Sequence, residues 1–522
     1  MEDMLRLWVA MAALGAYISI KTIYRLYFHP LSHIPGPKLA ACSHLYEFYY
    51  NVLLSGKYLF EMDKMHQQYG PIIRINPREI HISDPTFYDE IYASSSRKRE
   101  KDPQFVPTYA LPGSMVACVG HELHHFRRGL LKDFFSRRSV LELSDMMNER
   151  VQALMKRLDG FRMARATVSI DDAVSALTSD VITSYCCGKH WGFIEDPDFR
   201  NDVRLATADA ASFTHISRFF PWLVTLSTHL SPRTLAILMP GKAGLFGFLE
   251  SFLEYAQKDI ATGKRKSMLA TLADPSIPPA ERAFRRQRDE AFGIIGAGTE
   301  TTATVLTVAF YHLARDHAVR DKLQAELKQL MPTPDSTPTW IELERLPYLD
   351  AFISESLRIG SPVLGRYTRV APTETLTYNN YVIPPGVSDR RLTMSPLISV
   401  CLTLSNIMPK TPMSSASYFV HKDETLFPDP DAFRPERWLE AAERGQNLKK
   451  HLVAFTKGSR NCMGINLAYM ELFLTVAAFV RRFNLELVDT TPDDVRVVRE
   501  FLIGFTNKGG IKVNAKLTLA DE

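Results

Sequence analysis

The chain contains 522 residues, 46% of them hydrophobic and 23% charged, which is the composition of an ordinary globular protein with a large core. The formal net charge is only +4, so nothing overall points to nucleic acid as a partner. The six cysteines, at positions 42, 118, 186, 187, 401 and 462, show neither zinc-ligand nor secreted-disulfide spacing, and we expect a reduced compartment.

The first 28 residues predict a membrane anchor. Residues 7–20 carry no charge, and the apolar character continues to Phe28. A bilayer needs about 20 apolar residues, a length that is reached if Lys21 and Arg25 extend to the interface. The start Met-Glu-Asp is unlike a signal peptide, and the positive charges after the span place the main body in the cytosol. The alternative is a buried amphipathic helix.

Residues 29–37 contain three prolines and predict a stiff hinge after the anchor. Residues 38–522 are expected to form one domain, because no linker, charge block or repeat divides them. Alternating segments at 71–75 and 79–82 predict a short hairpin, and a second hairpin is predicted around Asn379 and Asn380. Helical patterns dominate between these hairpins, so the fold class is mainly α with a small β subdomain.

Two helical segments carry charged pairs. In the basic segment 121–132, His124 and Arg128 are four residues apart and share one helix face. Further on, Glu355 and Arg358 are three residues apart. Taken alone, both pairs are typical of a solvated helix surface.

A long proline-free helix is predicted for residues 288–315, with glycines at 293, 296 and 298. Glycine inside a helix costs about 1 kcal/mol relative to alanine. The glycines therefore suggest either room for a ligand against the backbone or a stripe of small residues for packing. The acid Glu300 fits a packing stripe poorly, and the hydroxyl of Thr301 is able to bond back to a helix carbonyl.

The most informative segment is Phe455-Thr456-Lys457-Gly458-Ser459-Arg460-Asn461-Cys462-Met463-Gly464. A cysteine thiolate is a strongly donating ligand, and a haem iron held by Cys is suited to O–O cleavage. Gly458 and Gly464 would let the backbone approach a flat macrocycle, and Arg460 would meet a haem propionate. For Cys462 alone, a buried structural cysteine is the alternative.

The pattern Phe-x-x-Gly-x-Arg-x-Cys-x-Gly at 455–464 resembles the haem-binding signature of the cytochrome P-450 family. Three more elements occur in the family's order: Ala-Gly-Thr-Glu-Thr-Thr at 297–302, Glu-x-x-Arg at 355–358 and aromatic-x-Pro-x-Arg at 433–437. The segments 69–77 and 134–140 are similar to fungal secondary-metabolite members near trichodiene oxygenase. The resemblance implies the cytochrome P-450 fold and haem b with Cys462 as axial iron ligand.

The resemblance also implies roles for individual residues. Glu300 and Thr301 would form an acid–alcohol pair that manages proton delivery. Glu355, Arg358 and Arg437 would form a buried structural triad, which must be fully partnered to offset its desolvation. His124 stands where the family usually has Trp, a departure that keeps a hydrogen-bond donor. The residues expected to bind the haem are His124, Arg128, Arg369, Phe455, Arg460, Cys462 and Gly464.

We therefore expect a haem-thiolate monooxygenase that hydroxylates or epoxidises a lipophilic terpenoid or polyketide intermediate with O2. Electrons would come from NADPH through a separate cytochrome P-450 reductase, and the catalytic domain would face the cytosol from the endoplasmic reticulum membrane. A positive patch of Arg127, Lys132, Arg137 and Arg138 would steer the electron donor. Substrate would be selected by apolar segments at 105–118, 205–245, 294–298, 363–367 and 502–506.

Residues 387–410 interrupt the family pattern by 24 residues, and we interpret them as translated intron. The alternative is a real surface loop with an adhesive apolar run at 397–404. Two other functions stay open: a haem-binding protein that this insert makes catalytically silent, and an isomerase or dehydratase of the same fold that needs no external electrons. The pair Glu300 and Thr301 argues against the second.

Overall fold

Helices make up most of the structure, a computed structural model that describes residues 1–227, 268–385 and 411–520 together with residues 230 and 234. The predicted insert 387–410 lies outside the described residues, as does most of 228–245 in one predicted substrate segment. The α-helices are α1 (Glu2–Ile23), α2 (Lys38–Cys42), α3 (Leu45–Phe48), α4 (Tyr58–Tyr69), α5 (Tyr88–Ile91), α6 (His121–Leu131), α7 (Arg137–Leu141), α8 (Ser144–Met163), α9 (Ile170–Cys187), α10 (Asp202–Ser212), α11 (Thr214–Phe219), α12 (Pro221–Ser227), α13 (Met268–Leu272), α14 (Phe284–Arg315), α15 (His317–Leu330), α16 (Trp340–Leu343), α17 (Pro347–Ile359), α18 (Ser417–His421), α19 (Glu436–Glu443) and α20 (Ile465–Arg482).

The strands are short and form four small sheets. They are β1 (Ile72–Arg74), β2 (Ile80–Ile82), β3 (Val168–Ser169), β4 (Leu376–Tyr378), β5 (Tyr381–Ile383), β6 (Met413–Ser414), β7 (Phe483–Leu487), β8 (Arg499–Phe501), β9 (Ile503–Phe505) and β10 (Asn514–Leu519). Within the described residues the sheet orders are β1-β2-β6, β3-β10-β7, β4-β5 and β8-β9. Strand β6 runs parallel to β2, and the other pairs are antiparallel. The two predicted hairpins are confirmed as β1-β2 and β4-β5, and so is the mainly α fold class.

The long helix α14 crosses the centre of the body and packs on α9. At Gly298, an added Cβ would lie 2.6 Å from the side chain of Ile182 on α9. Next to it, the hydroxyl of Thr178 donates to the Thr299 carbonyl at 2.7 Å. The glycine at 298 therefore serves close helix packing, and the expectation that it makes room for a ligand is wrong. A neighbouring helix occupies that side of α14.

The apolar helix α20, which follows the cysteine loop, lies in the same core. The Phe479 ring on α20 stacks on the Phe310 ring of α14 with centroids 4.2 Å apart. Almost every residue of α20 from Met470 onwards is buried. This burial explains why the helix is apolar on all sides, and it ties the cysteine loop directly to the centre of the fold.

The amino-terminal helix stands apart from the body. Helix α1 has no buried residue and continues into a π-helical turn, Tyr24–Phe28. Together Glu2–Phe28 are long and apolar enough to cross a membrane, and none of that span is buried. The alternative of a buried amphipathic helix is therefore wrong, because α1 has no protein surface to pack against within the described residues.

The proline-rich hinge is docked on strand β1. Leu31 and Ile34 are buried, and the backbone N–H of Arg74 donates to the Pro35 carbonyl at 2.7 Å. The Arg74 guanidinium also donates to the carbonyl of Arg25 at the end of the anchor, at 2.8 Å. Gly36 has a φ of +151°, and a Cβ there would lie 2.6 Å from the Arg74 carbonyl oxygen. These contacts hold the hinge against the body.

Candidate functional site

The cysteine loop, residues 455–464, is a tight turn that is closed by a backbone hydrogen bond within the loop. The N–H of Cys462 donates to the Phe455 carbonyl at 2.9 Å. Gly458 has a φ of +74°, and a Cβ there would collide with the carbonyls of Tyr92 and Ala93. The glycine at 458 is thus required by backbone contact, which corrects the expectation of a macrocycle at that position. Beside Gly464, by contrast, an added Cβ would meet nothing within 4 Å.

The thiol of Cys462 is free and solvent-accessible. The protein around it nevertheless raises the pKa of the thiol by desolvation, while the Gly464 backbone N–H and the positive charge of Arg128 act in the opposite direction. Accessibility combined with strong desolvation is the behaviour of a residue that faces a space inside the protein. Two groups near this sulfur therefore favour the thiolate.

Helix α6 positions the predicted pair His124 and Arg128. Arg128 donates to the carbonyl and to the side-chain oxygen of Asn461, both at 2.8 Å. His124 is buried, and its pKa falls to about 2 through desolvation and through four nearby cations, among them Arg128. The structure thus places one face of α6 against the cysteine loop.

Arg460 and Arg369 meet in the same region. The Arg460 guanidinium donates to the carbonyls of Cys118 at 2.8 Å and Val119 at 2.9 Å. Desolvation and the charge of Arg369 lower the pKa of Arg460 to about 10. Arg369 is itself buried and donates to the Thr368 carbonyl at 3.0 Å. Backbone carbonyls therefore hold both side chains in place.

Two members of this region were not predicted from the sequence. Lys101 is buried, donates to the Val116 carbonyl and lies 4.5 Å from the centroid of the Tyr109 ring. Desolvation, Arg369 and Arg460 lower the pKa of Lys101 well below its usual value. The Tyr109 hydroxyl is buried and has no hydrogen-bond partner. Lys101 lies in a charged loop, where the sequence gives no sign that it is buried.

We name this group the cation cluster: Lys101, His124, Arg128, Arg369 and Arg460, with the Tyr109 hydroxyl. No carboxylate in the described part of the chain forms an ion pair with any member. Buried charges are costly unless they are paired, so the cluster is suited to an anion. The two propionates of a haem fit this donor set, and the accessible Cys462 thiol supplies the metal ligand that a haem-thiolate requires.

Phe455 lies beside this loop. Its ring centroid is 5.3 Å from that of Tyr469 on α20, in a tilted arrangement, and its carbonyl receives the Cys462 N–H. The structure thus brings together sequence-predicted haem residues from three separate segments: α6, the region near residue 369 and the loop 455–464.

Glu300 and Thr301 lie on α14. The Thr301 hydroxyl donates to the Ala297 carbonyl at 2.7 Å, as the sequence suggested, while α14 continues as one helix. Desolvation raises the pKa of Glu300, and Arg204 on α10 opposes this. The Arg204 Nε lies 3.5 Å from Glu300 Oε2, which has no hydrogen-bond partner. No sequence signal identifies Arg204, since it comes from a separate helix.

Arg204 belongs to a larger group of charges. It also pairs with Asp172 and, at 2.8 Å, with Asp171, both in the first turn of α9. Ser169 caps that helix and donates to both carboxylates at 3.0 Å and 2.7 Å. The acid Glu300 is therefore connected through one guanidinium to two carboxylates, and Asp172 is partly exposed.

Glu355, Arg358 and Arg437 are in contact and almost completely buried. Arg358 donates to both Glu355 oxygens at 2.9 Å and 2.7 Å, and Arg437 donates to one at 3.0 Å. The Trp438 indole N–H adds a bond to Glu355 at 3.0 Å. The remaining guanidinium donors reach backbone carbonyls of residues 421–432, so the set is well satisfied.

A second cluster has the composition of a metal site but is already satisfied. Asp180, His190 and Glu195 have potential ligand atoms within 4.8 Å of one another. Asp180 accepts backbone N–H bonds from residues 191–194, and Arg150 pairs with Glu195 at 2.9 Å. These contacts describe a loop held by a buried carboxylate.

Known proteins resemble this chain along nearly its whole length. The family described as cytochrome P-450 matches residues 42–388 and 406–509. The chain is 41% identical over 519 residues to conidiogenone synthase of Penicillium rubens, covering 98% of this chain and 99% of that protein. It is 39% identical over 505 residues to the monooxygenase TRI4 of Trichoderma arundinaceum, covering 96% and 93%. It is 36% identical over 522 residues to the monooxygenase aflU of Aspergillus parasiticus, covering 98% and 99%. With its accessible thiol, its cation cluster and this similarity along nearly its whole length, the chain belongs to the cytochrome P-450 family and is a cytochrome P-450 monooxygenase.

Proposed function

We propose that the protein is a membrane-anchored haem-thiolate enzyme that hydroxylates or epoxidises a lipophilic secondary-metabolite intermediate of the terpenoid or polyketide class. The observation that carries the proposal is the accessible Cys462 thiol beside Arg128, a member of the cation cluster. The similarity to conidiogenone synthase, a fungal enzyme named for its organic product, supports the substrate class.

The chain's own residues would hold the cofactor. The thiolate of Cys462 would bind the iron, and the cation cluster would bind the propionates. When bound, the haem would supply reductive activation of O2 and transfer of one oxygen atom. The other oxygen atom leaves as water, with two electrons from NADPH and two protons. Desolvation raises the pKa of the Cys462 thiol, and the Gly464 N–H and the charge of Arg128 act against that rise and favour the anionic sulfur.

Proton delivery falls to Glu300 and Thr301. Glu300 would supply the proton, because desolvation raises the pKa of this carboxyl even though the charge of Arg204 opposes the rise. The Thr301 hydroxyl, which bonds to the Ala297 carbonyl one turn back, would pass the proton on. The triad of Glu355, Arg358 and Arg437 takes no part in the chemistry and would brace the segment 421–437 beneath the cysteine loop.

The proposed location is the endoplasmic reticulum membrane, with the body in the cytosol. Exposed apolar side chains near the anchor support this, because they form a second surface suited to lipid. They include Leu39, Leu45, Leu53 and Trp222. The T-shaped contact between Phe48 and Phe219, with ring centroids 5.1 Å apart, brings the segments that carry them together.

Electrons would come from a separate NADPH-dependent reductase. The predicted positive patch needs correction, because three of its members already have acidic partners. Arg127 pairs with Glu281 at 2.8 Å, and Arg137 and Arg138 pair with Glu344 and Glu142. The net positive charge of this surface is therefore smaller than the sequence indicates.

The test uses the full-length protein in its membrane, supplied with haem, reduced and exposed to carbon monoxide. We expect the thiolate-shifted Soret band, and we expect Cys462→Ala to remove it. Cys118→Ala, at a buried cysteine outside the loop, is the matched control and should keep the band. A Cys462→Ala protein that retains the band would overturn the proposal.

A second measurement separates this function from its alternatives. The holoenzyme is incubated with candidate terpenoid and polyketide intermediates under 18O2, with and without reductase and NADPH. Product that carries one 18O atom and requires both additions supports the monooxygenase. Turnover without them indicates an isomerase or dehydratase, and a protein with the Soret band that yields no product under any condition is catalytically silent.

A further inference from the structure

A cavity of about 290 Å³ lies where the ends of several elements meet. It is bounded by the last turns of α8 and α20, by residue 334 after α15, and by the adjoining ends of β7 and β10. Neither the cation cluster nor the pair Glu300 and Thr301 contributes a residue to its wall. The cavity is therefore a feature of the fold that is separate from the candidate haem site.

The wall of this cavity is rich in arginine. Arg162, Arg481 and Arg482 line it, and Asp159 is the acid that lines it with them. Arg162 donates to Asp159 at 2.7 Å, and Arg482 pairs with Asp335, whose side chain is 87% exposed. Exposed ion pairs contribute little free energy, so the pair with Asp335 competes only weakly with an anion inside the cavity.

Backbone carbonyls hold two of these arginines in place. Arg481 is almost completely buried and donates to the carbonyls of Met331 at 2.8 Å and Pro332 at 3.2 Å. Arg482 donates to the Pro334 carbonyl at 3.4 Å. Because these bonds orient the guanidiniums before any ligand arrives, an anion that binds here would lose little affinity to side-chain ordering.

The remainder of the wall is apolar and consists of Pro334, Phe483, Leu519 and Ala520. Phe483 and Leu519 are opposite each other in the β7-β10 ladder, and the Ala520 N–H donates to the Arg482 carbonyl at 3.0 Å. Cations and apolar side chains in one wall suit a molecule that has a negative group and an apolar body. Ligand pockets usually measure about 300 to 1,000 Å³, so this cavity restricts its ligand to a small molecule.

We propose that this cavity binds a small organic carboxylate with an apolar body, taken up from solution, and that Arg162 and Arg482 bind its negative group. A planar guanidinium matches a carboxylate through two parallel N–H bonds. Asp521 and Glu522 follow Ala520 directly in the sequence and are a second source of carboxylates, so the experiment separates the two sources. The inference goes beyond the proposed function and does not depend on it.

The experiment is a calorimetric titration of the full-length holoenzyme with benzoate, and with benzamide as an uncharged molecule of the same shape. Arg162→Met and Arg482→Met each remove one guanidinium at a position that is partly exposed, so both variants should fold. Arg496→Met, at an exposed arginine outside the cavity, is the matched control. A chain that ends at Ala520 tests the second source of carboxylates, and the Soret band is recorded throughout to detect binding near the haem.

We expect benzoate to bind the wild type about tenfold or more tightly than benzamide, because charge-assisted hydrogen bonds are the stronger ones. Arg162→Met and Arg482→Met should each weaken benzoate binding about tenfold without affecting benzamide, and Arg496→Met should match the wild type. Benzoate should also raise the melting temperature of the wild type and leave its Soret band unchanged.

Three results would overturn the proposal. The first is equal binding of benzoate and benzamide by the wild type, a comparison that needs no variant to fold. The second is benzoate binding that is unchanged in both arginine variants or that shifts the Soret band. The third is binding only in the chain that ends at Ala520, which would assign the site to the carboxylates of Asp521 and Glu522. A wild type without the thiolate-shifted Soret band would contradict the proposed function alone, since the cavity shares no residue with the haem site.

Discussion

Arg128 donates hydrogen bonds to the backbone carbonyl and to the side-chain oxygen of Asn461, each at 2.8 Å. Asn461 directly precedes Cys462, so a single guanidinium on α6 fixes the loop and places a positive charge near the sulfur. That charge acts against the desolvation that raises the pKa of the thiol. Loop position and thiolate stability therefore depend on the same side chain.

The first prediction concerns this contact. Arg128→Met should raise the pKa of the Cys462 thiol, because the thiolate loses a positive charge that favours it. The fraction of reduced, carbon monoxide-bound protein with the thiolate-shifted Soret band should fall, most strongly at low pH. A pH series of that spectrum measures the effect. Arg138→Met serves as the control, and an unchanged pH midpoint in Arg128→Met contradicts the assignment.

The second prediction concerns Glu300 and its partner Arg204. Glu300→Gln should slow product formation by about 10² or more, which is the usual effect of removing a positioned proton donor. Arg204→Leu should move the Glu300-dependent limb of the pH profile upward, since the carboxylate loses its cation. Product formation from pH 5 to 9 is the measurement.

The exposed Arg200, two residues before α10, provides a control, as its pair with Asp202 is open to solvent. Arg200→Leu should leave the pH profile in place. An Arg204→Leu enzyme with the wild-type profile would show that Glu300 does not titrate during turnover.

The third prediction tests the triad. Glu355→Gln leaves Arg358 and Arg437 buried without a carboxylate, which should cost about 3 to 5 kcal/mol of the free energy of unfolding. Glu440→Gln removes a carboxylate from an exposed pair and should cost less than about 1 kcal/mol. Denaturant titrations of the two variants, followed by the Soret band, compare them directly. Equal losses would mean that the triad does not brace the core.

Sequence reasoning succeeded where the functional groups lie close together in the chain. The cysteine loop and the pair Glu355 and Arg358 are each contained within a few residues, so their spacing alone restricts the geometry. Arg437 was likewise predicted from a short pattern, aromatic-x-Pro-x-Arg at 433–437. The anchor was also predictable, because an uncharged apolar run of that length has few other uses.

The same reasoning missed partners that come from distant segments. Arg204 approaches Glu300, and Lys101 approaches Arg460, across long stretches of chain, and neither lies in a distinctive local pattern. Gly298 shows a related limit. A glycine in a helix predicts that another group approaches the helix backbone closely, but the sequence does not say which group. The structure shows that at Gly298 this group is Ile182 on the neighbouring helix α9.

The fourth prediction is a loss of stability in acid. His66 is half-buried, His81 is buried, and a 2.7 Å hydrogen bond joins them, while His421 accepts the Val453 N–H at 2.9 Å. Desolvation lowers the pKa of His66 to about 4 and that of His421 to about 3. All three are neutral in the folded and unfolded states above pH 6.5, so their contribution to stability is complete there.

Below pH 6.5 these histidines bind protons in the unfolded chain, whereas in the folded chain they stay neutral until the pH falls to their lowered pKa values. Each of these histidines should then reduce the free energy of unfolding by about 1.4 kcal/mol per pH unit until its folded pKa is reached. Denaturation midpoints at pH 7 and pH 5 measure the slope. His421→Gln should remove the contribution of one histidine from this slope, whereas His317→Gln, at an exposed position, should leave the slope unchanged. A stability that is constant between pH 7 and 5 would contradict this prediction.

The last prediction concerns residues 387–410. The family match stops at 388 and resumes at 406, and the first strand after the segment is essential to the site. Met413 exchanges two backbone hydrogen bonds of 2.8 Å with Arg369, a member of the cation cluster. The break in the family match supports our proposal that the segment is translated intron. Tryptic peptides of the protein from its native source should therefore join Gly386 to Thr411, and peptides from within the segment would refute the proposal. A recombinant chain that lacks 387–410 should retain at least as much haem as the full chain, as measured by the ratio of Soret to protein absorbance, because the two bonds between Met413 and Arg369 do not involve the segment.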